Sequence, residues 1–336
     1  MGTGDSTEHT AASREGSGDT STDVWDAVII GGGPAGLSAA LMLGRARRRV
    51  LVVDAGEPRN RFTSHVHGVL GSEGTPPIEF LARGREEVRS YGVEIRRGQV
   101  TAVTEGSERM LVATASGESF AARRVIATSG SRDGLPDIPG AGDRWGKDVL
   151  HCPYCHGWEV RGGRLGVLAT SSASIHQAHL VRQWSEHVTF FSAEAGEVPE
   201  DVAARLGARG VVIDPRPVTR LATDAEGLSG AEVEGGDVVP LDALFVTPIL
   251  KSNEEFLEPL ELEREGSVGG DFVRVDKTGR TSNPRVWAVG NVARPIETVP
   301  MVVAAGASAG AAVNQDLIDE EFDAALAAEA TIRLPS

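Results

Sequence analysis

The chain has 336 residues but only two cysteines, Cys152 and Cys155, and both fall in His151-Cys152-Pro153-Tyr154-Cys155-His156-Gly157-Trp158-Glu159. Zinc usually takes four protein ligands, and no second cysteine pair exists to complete such a set. His151 and His156 do not stand at the spacing of a familiar finger, so no metal is expected. Positive charge is also short. Lys and Arg total 33 against 48 Asp and Glu, a net charge of -15, which argues against a nucleic-acid partner. The one basic cluster, Arg45-Ala46-Arg47-Arg48-Arg49, stands where a helix should end, which reads as pairing with the helix dipole and solvated surface. Apolar runs of membrane-spanning length are absent, so no membrane partner is expected. Residues 1–23 are polar throughout and carry no export signal; they read as a disordered tail. Two cysteines without an export signal fit a reducing cytoplasm, where disulfides are usually catalytic.

Two cysteines with two residues between them can close a disulfide without straining the chain. A thiol in such a motif often has a depressed pKa, which makes it a better nucleophile and leaving group near neutral pH. The alternatives are buried core thiols or half of a zinc site. A redox disulfide needs an electron partner, and the start of the chain points to one.

Trp25–Ile30 reads as a buried strand that runs into Gly31-Gly32-Gly33-Pro34-Ala35-Gly36, then an Ala/Leu-rich helix to about Arg45, then the strand Val50–Asp54. Gly31, Gly33 and Gly36 match GxGxxG. The first allows the tight turn, the second lets backbone approach a pyrophosphate, and the third lets helix and strand pack closely. The helix N-terminus then offers free N–H groups to the phosphates. Asp54, 23 residues after Gly31, would accept hydrogen bonds from an adenosine ribose.

A long loop at 60–77 contains His65 and His67, and long loops in compact domains are often functional. A helix is expected near 78–91, then an antiparallel insert and a return to the sheet that ends at Ala127-Thr128-Ser129-Gly130. Pro136 and Pro139-Gly140 mark a linker. A second strand–helix–strand unit spans Arg164–Leu168, about 172–184 and Val188–Phe191. Val286–Val292 reads as a strand and glycine turn. Thr298-Val299-Pro300 then opens a helix to about Ile318, with Thr298 as N-cap and Pro300 in the first turn. The expected class is α/β, with two Rossmann-like (three-layer ββα/βαβ) domains. One is split into 24–140 and 249–325 around an inserted unit at 141–248 that carries the cysteines.

Ile30 through Gly36, the Ala127–Gly130 strand end, Cys152-Pro153-Tyr154-Cys155 and Trp287–Val292 occur in the order seen in the low-molecular-weight thioredoxin reductase family, which the chain resembles from the tail onward. The resemblance implies FAD, a split FAD domain and a homodimer. It places Cys155 against the flavin and leaves Cys152 as the interchange thiol. Cofactor contacts are implied for Pro34 and Ala35 in the turn, for Arg61 and Val100, and for Ser129, Gly130 and Gly290. Asn291 stands where the family usually has an Asp that bonds the ribityl chain. Met301, at the start of the last helix, would offer a backbone N–H to the flavin. Where members often carry an acidic proton shuttle, this chain has His156. A histidine titrates in the physiological range and can act as base and acid; the alternative is a structural hydrogen bond.

What the second unit lacks decides the expected reaction. A nicotinamide-binding turn should repeat the glycines, but here it reads Ala169-Thr170-Ser171-Ser172-Ala173-Ser174. Side chains at Ala169 and Ser171 would stand between backbone and pyrophosphate. In place of the family's His-Arg-Arg patch for a 2′-phosphate stands Ser192-Ala193-Glu194, whose carboxylate would repel one. Such a degraded site beside Cys-x-x-Cys-His-Gly-Trp-Glu is similar to dithiol oxidases that close natural-product disulfides, with oxygen reduced to hydrogen peroxide. Cys152 would face an open cleft lined by the 60–77 loop, Tyr154 and Trp158. His65 and His67 are candidates to take a substrate thiol's proton; the alternative is that both are merely exposed loop residues. The rival readings are a disulfide reductase fed by NADPH, ferredoxin or another donor, and a flavin-bound redox sensor.

Overall fold

The computed structural model describes residues 24–267 and 270–332; the tail expected at 1–23 lies outside the described residues. The first sheet has the order β3-β2-β1-β6-β5-β4, with β1 Trp25–Ile30, β2 Val50–Asp54, β3 Glu94–Arg97, β4 Val100–Glu105, β5 Met110–Thr114 and β6 Ser119–Ala127. Strands β1, β2, β3 and β6 run parallel, while β4 and β5 pair antiparallel. Apolar side chains on both faces explain why β1 reads as a near-continuous apolar run: it is covered on both sides. The strand Val286–Ala288 returns from far along the chain and lies parallel to β6.

Register fixes where a ligand can sit. Ile30 is opposite both Val53 and Ala127, and Ala288 is opposite Ala127. The carboxyl ends of four strands therefore reach one edge, which is where open α/β sheets take ligands. Helix α1, Pro34–Arg45, follows β1, and α2, Pro77–Arg89, packs beside it.

The last helix runs from Val299 to Ile332, well past the expected end near Ile318. Acids on either side of that point tie it down: Asp316 and Glu320 pair with Arg124, and Glu320 and Glu321 with Arg123. Arg48 also reaches Glu321 and Asn314, so one member of the basic cluster is a helix clamp rather than free surface. The crossing with α1 is close. A Cβ at Gly306 would stand 2.1 Å from the Ala35 carbonyl oxygen, and Ser38 Oγ donates to the Val303 carbonyl at 2.7 Å.

A second, fully parallel sheet joins Val212–Asp214, Val188–Phe191, Leu165–Leu168, Ala243–Val246 and Val149–Leu150 in that order. Its helix Ser174–Val181 lies against Leu165–Leu168. The fold is thus α/β with two Rossmann-like sheets. Among the described residues no helix is long and apolar enough to cross a membrane.

Candidate active site

The edge of the first sheet opens into a cavity of about 1380 Å³. That exceeds the roughly 300–1,000 Å³ of an ordinary small-molecule site. Gly31 to Ala35, Asp54, Val100, Ser129, Gly130, Gly290 and Asn291 all line it. Gly31 has φ +110°, and a Cβ there would lie 2.5 Å from the Thr128 carbonyl oxygen. Thr128 Oγ1 in turn donates to the carbonyls of Ile30 and Gly31. Gly36 packs against the Gly31 carbonyl, where a Cβ would come within 2.0 Å. A Cβ at Gly33 would meet nothing within 4 Å, so this position faces open space at the N-terminus of α1. The turn leaves a phosphate-sized seat with the helix amides behind it, and the residues present fit a dinucleotide.

Asp54 stands at the end of β2, its Oδ1 accepting the Gly56 N–H and its Oδ2 3.1 Å from Arg85. Ser129 and Gly130 are held by Asn253, which donates to the Ser129 carbonyl at 3.0 Å and accepts Ser129 Oγ at its own carbonyl. Asn291 donates its amide to the carbonyls of Arg294, Pro295 and Glu297 and accepts Arg59 at Oδ1. It shapes the loop that leads into the last helix. Met301 is exposed and outside the wall, whereas its neighbours Val299 and Val302 line the cavity. Arg61 also lines it, with its guanidinium over the Phe62 ring and one N–H donated to the Pro58 carbonyl.

The second unit closes the same cavity. Cys152 and Cys155 form a disulfide with Cα atoms 5.2 Å apart, and both face the cavity. Pro153–His156 is one helical turn, in which the amides of Cys155 and His156 both bond the Cys152 carbonyl. Gly157 lets this turn press on Trp184, whose ring a Cβ would meet at 2.7 Å. Gln177 fixes the approach by donating to the His151 carbonyl at 2.7 Å while accepting Thr247 Oγ1.

His156 lines the wall beside Cys155, and desolvation holds its pKa below the usual histidine value; Glu159 raises it and His67 lowers it. It is therefore neutral at neutral pH and able to accept a proton. Tyr154 lines the cavity and lies edge-on to Trp184. His65, His67 and Trp158 do not line it. Beyond Thr63 the loop leaves the cavity and folds on itself, with Val66 bridged to Thr75. His65 is exposed at this turn, and Trp158 is exposed with Arg161 over its ring. His67 approaches the site from behind, its ring 6.4 Å from that of His156.

Sequence reasoning gave no role to several wall residues. Arg59 pairs with Asp133 at 2.5 Å and faces His151, whose pKa is lowered to about 4 by desolvation first and Arg59 second. Glu297 also lines the wall; burial raises its pKa, and its Oε2 has no partner among the described residues. His176 and Leu180 project from the helix Ser174–Val181. The signal that could have found them is topological: they lie on the helix after the second turn, which in a doubly wound fold faces the ligand crevice. Among the described residues no group of three His, Cys, Asp or Glu could hold a metal.

At the second turn the first amides of the helix hold partners inside the chain. Ser174 Oγ accepts the Thr170 N–H, and the amides of Ser174, Ile175 and His176 bond the carbonyls of Ser171, Ser172 and Ala173. Glu194 is exposed just beyond the strand Val188–Phe191.

Residues 25–310 match the family of pyridine nucleotide-disulphide oxidoreductases. The thioredoxin reductase sirT of Leptosphaeria maculans is 32% identical over 88% of this chain and 95% of its own length. The thioredoxin reductase tcpT of Claviceps purpurea is 31% identical over 89% and 96%. The crystal structure of HlmI superposes with a TM-score of 0.87 at 42% identity, over 93% of this chain and 98% of that one. An oxidoreductase from Agrobacterium tumefaciens gives 0.83 at 38% identity, over 88% and 99%. A glycine cradle facing a paired CxxC, in a chain so similar to these proteins, belongs to the pyridine nucleotide-disulphide oxidoreductase family, as a thioredoxin reductase-like oxidoreductase that binds FAD.

Proposed function

We propose that this protein is an FAD-dependent dithiol oxidase that closes an intramolecular disulfide in a small-molecule dithiol. The observation that carries the reading is the second turn, whose helix amides bond within the chain and whose glycine positions are Ala169 and Ser171. Side chains at these positions would stand between the backbone and a nicotinamide pyrophosphate, and the first helix amides already hold internal partners.

The substrate's first thiol loses its proton to His156 and attacks the Cys152–Cys155 disulfide at Cys152, giving a mixed disulfide and a Cys155 thiolate. The second substrate thiol attacks the mixed disulfide. The substrate leaves as its disulfide, and the enzyme holds the dithiol, so two electrons and two protons have been transferred. The Gly31–Gly36 turn, Asp54, Ser129, Gly130, Gly290 and Asn291 would hold FAD, which would supply the two-electron oxidation of that dithiol, with oxygen as final acceptor and hydrogen peroxide as product. Tyr154, His176 and Leu180 face the substrate, and the proposal divides the chain at about 140 and 248. The enzyme is read as a cytoplasmic homodimer.

The test is oxygen consumption by the purified yellow protein with a small dithiol and no nicotinamide. Stoichiometric peroxide is expected, lost in Cys155→Ser. No uptake with a range of dithiols would sink the reading. A second reading follows the relatives sirT and tcpT, both named thioredoxin reductases: a disulfide reductase fed by another donor. Rapid anaerobic bleaching of the flavin by NADPH would favour it.

A further inference from the structure

His156 is recessed between the redox disulfide and the protein, so a proton placed on it needs a way out. The elements behind it supply one. Residues 63–75 close into a hairpin-like loop, with the Val66 N–H on the Thr75 carbonyl at 2.8 Å and the Gly74 N–H on the Val66 carbonyl at 3.0 Å. Gly68, Gly71 and Gly74 all have φ between +72° and +83°, a conformation that favours glycine and lets the chain turn so tightly. Val66 is buried and anchors it.

Inside this loop Glu73 makes two contacts, accepting the Gly68 N–H at 2.8 Å on one oxygen and meeting His67 Nδ1 at 2.7 Å on the other. An ionised carboxylate only accepts, so Nδ1 carries the proton and Nε2 faces the other way. There Glu159 Oε1 stands at 3.6 Å, within ion-pair reach once that nitrogen takes a proton, and the ring stands edge-on to His156. The side chain of His67 is 18% exposed, against 43% for Glu159 and 64% for Glu73. Exposure to water therefore rises from His67 to Glu159 to Glu73. His67 is also faced by His65 at 6.1 Å between ring centres, and His156 by His151 and the disulfide.

We propose that Glu73, His67 and Glu159 form a proton relay that exchanges the His156 proton with solvent. The proposal rests on the oxidase reading for its role in turnover, but not for the contact itself. Only N–H and O–H bonds form and break along it, and water takes or supplies each proton. No electrons move through it. Glu73 sets the His67 tautomer; His67 and Glu159 carry the proton. All three are relay or positioning residues, since none touches substrate or cofactor.

The experiment uses the holoenzyme with wild type, His67→Gln, Glu73→Gln and Glu73→Asp. In wild type, the rate of dithiol oxidation should not depend on buffer concentration. His67→Gln should be about tenfold slower in dilute buffer, below the roughly 10²–10⁴-fold effect of losing a base outright. Added imidazole should restore it. Glu73→Gln should behave alike, with recovery in Glu73→Asp. A slow His67→Gln that imidazole does not rescue has lost only structure, and an unchanged rate means the proton leaves elsewhere; either result overturns the relay. A second measurement needs no substrate. The ring NMR signals of His156 in the oxidised protein should titrate at higher pH in His67→Gln, because the lowering influence of His67 on that ring has gone. An unmoved titration overturns the proposal even if the oxidase reading stands, and a moved one supports the coupling even if that reading fails.

Discussion

The two strand–turn–helix units of this chain start from the same backbone plan and end with opposite surfaces. At Gly31–Gly36 the glycines pull the turn tight, and Gly33 leaves a seat that none of the described residues fills. At Ala169–Ser174 the turn is tied into the chain itself: Ala169 is buried, Ser174 Oγ accepts the Thr170 N–H, and Thr170 Oγ1 donates to the Thr247 carbonyl. The difference lies less in missing glycines than in hydrogen bonds. A helix N-terminus binds an anion when its amides lack partners; supplied with internal carbonyls and hydroxyls, it becomes an ordinary structural turn. The second unit keeps its parallel sheet because that depends on buried Leu165, Val167 and Phe190, not on the turn. Fold and ligand site can thus separate.

The strongest break of this contrast is a side chain at the open seat. Gly33→Leu meets no protein atom at its Cβ, so the fold should persist, yet the leucine would stand where a phosphate must lie. FAD affinity should fall by on the order of 10²-fold or more, about 2.7 kcal/mol or above, with the far-UV circular dichroism unchanged. A yellow Gly33→Leu protein with normal flavin content would show that Gly33 is not the seat. On the other side of the contrast, NADPH should reduce the flavin anaerobically about 10²-fold more slowly than a good dithiol, a rate gap of about 2.7 kcal/mol. Stopped-flow absorbance at the flavin band reads both. Equal rates would mean that the second turn opens in solution.

The first turn and its acid were legible in the sequence because their chemistry is local. Gly31, Gly33, Gly36 and Asp54 lie within one strand–helix–strand unit, and their spacing carries their geometry. The degraded second turn was legible too, but only as missing glycines; that Ser174 would take over the Thr170 amide depends on a rotamer no spacing reveals. Residues that meet across the cavity were harder. Arg59 and Asp133 are far apart in sequence, and nothing in either segment announces their pairing opposite His151. His67 was picked from a loop as a possible wall residue. The structure puts it behind His156, because Val66–Thr75 pairing turns the loop away from the cavity. The last helix runs past its expected end, where Glu320 and Glu321 pair with Arg124 and Arg123.

His151 sharpens the comparison at the seam between the units. Desolvation first, then Arg59, lowers its pKa from 6.5 to about 4. The folded state therefore holds it neutral while the unfolded chain protonates near its ordinary value. As pH falls from about 6.5 towards 4 the unfolded state binds the extra proton, and stability is lost through that window. The upper bound is roughly 3 kcal/mol, and water in the cavity should reduce it to about 1–2. Thermal melts at pH 7 and pH 5 for wild type and His151→Gln measure the difference. His156 is shifted in the same direction, so only the part removed by His151→Gln belongs to this residue. An equal loss in both proteins would place the acid sensitivity elsewhere.

The smallest expected effect tests the closed turn itself. Ser174 is fully buried, and its Oγ accepts the Thr170 N–H at 3.1 Å. Ser174→Ala removes that acceptor without adding bulk. The Thr170 amide would then be left short of a partner in a part-buried turn, at a cost of about 1 kcal/mol. For a chain of this size that corresponds to a fall in Tm of roughly 1–2 °C. Flavin content should not change, because the first turn is untouched. Nor should NADPH gain a rate, since Ala169, Ser171 and the internal bonds of the Ser174, Ile175 and His176 amides remain. If Ser174→Ala instead let NADPH bleach the flavin, one hydroxyl would have been the whole barrier, and the second unit would be a closed nucleotide site rather than a lost one.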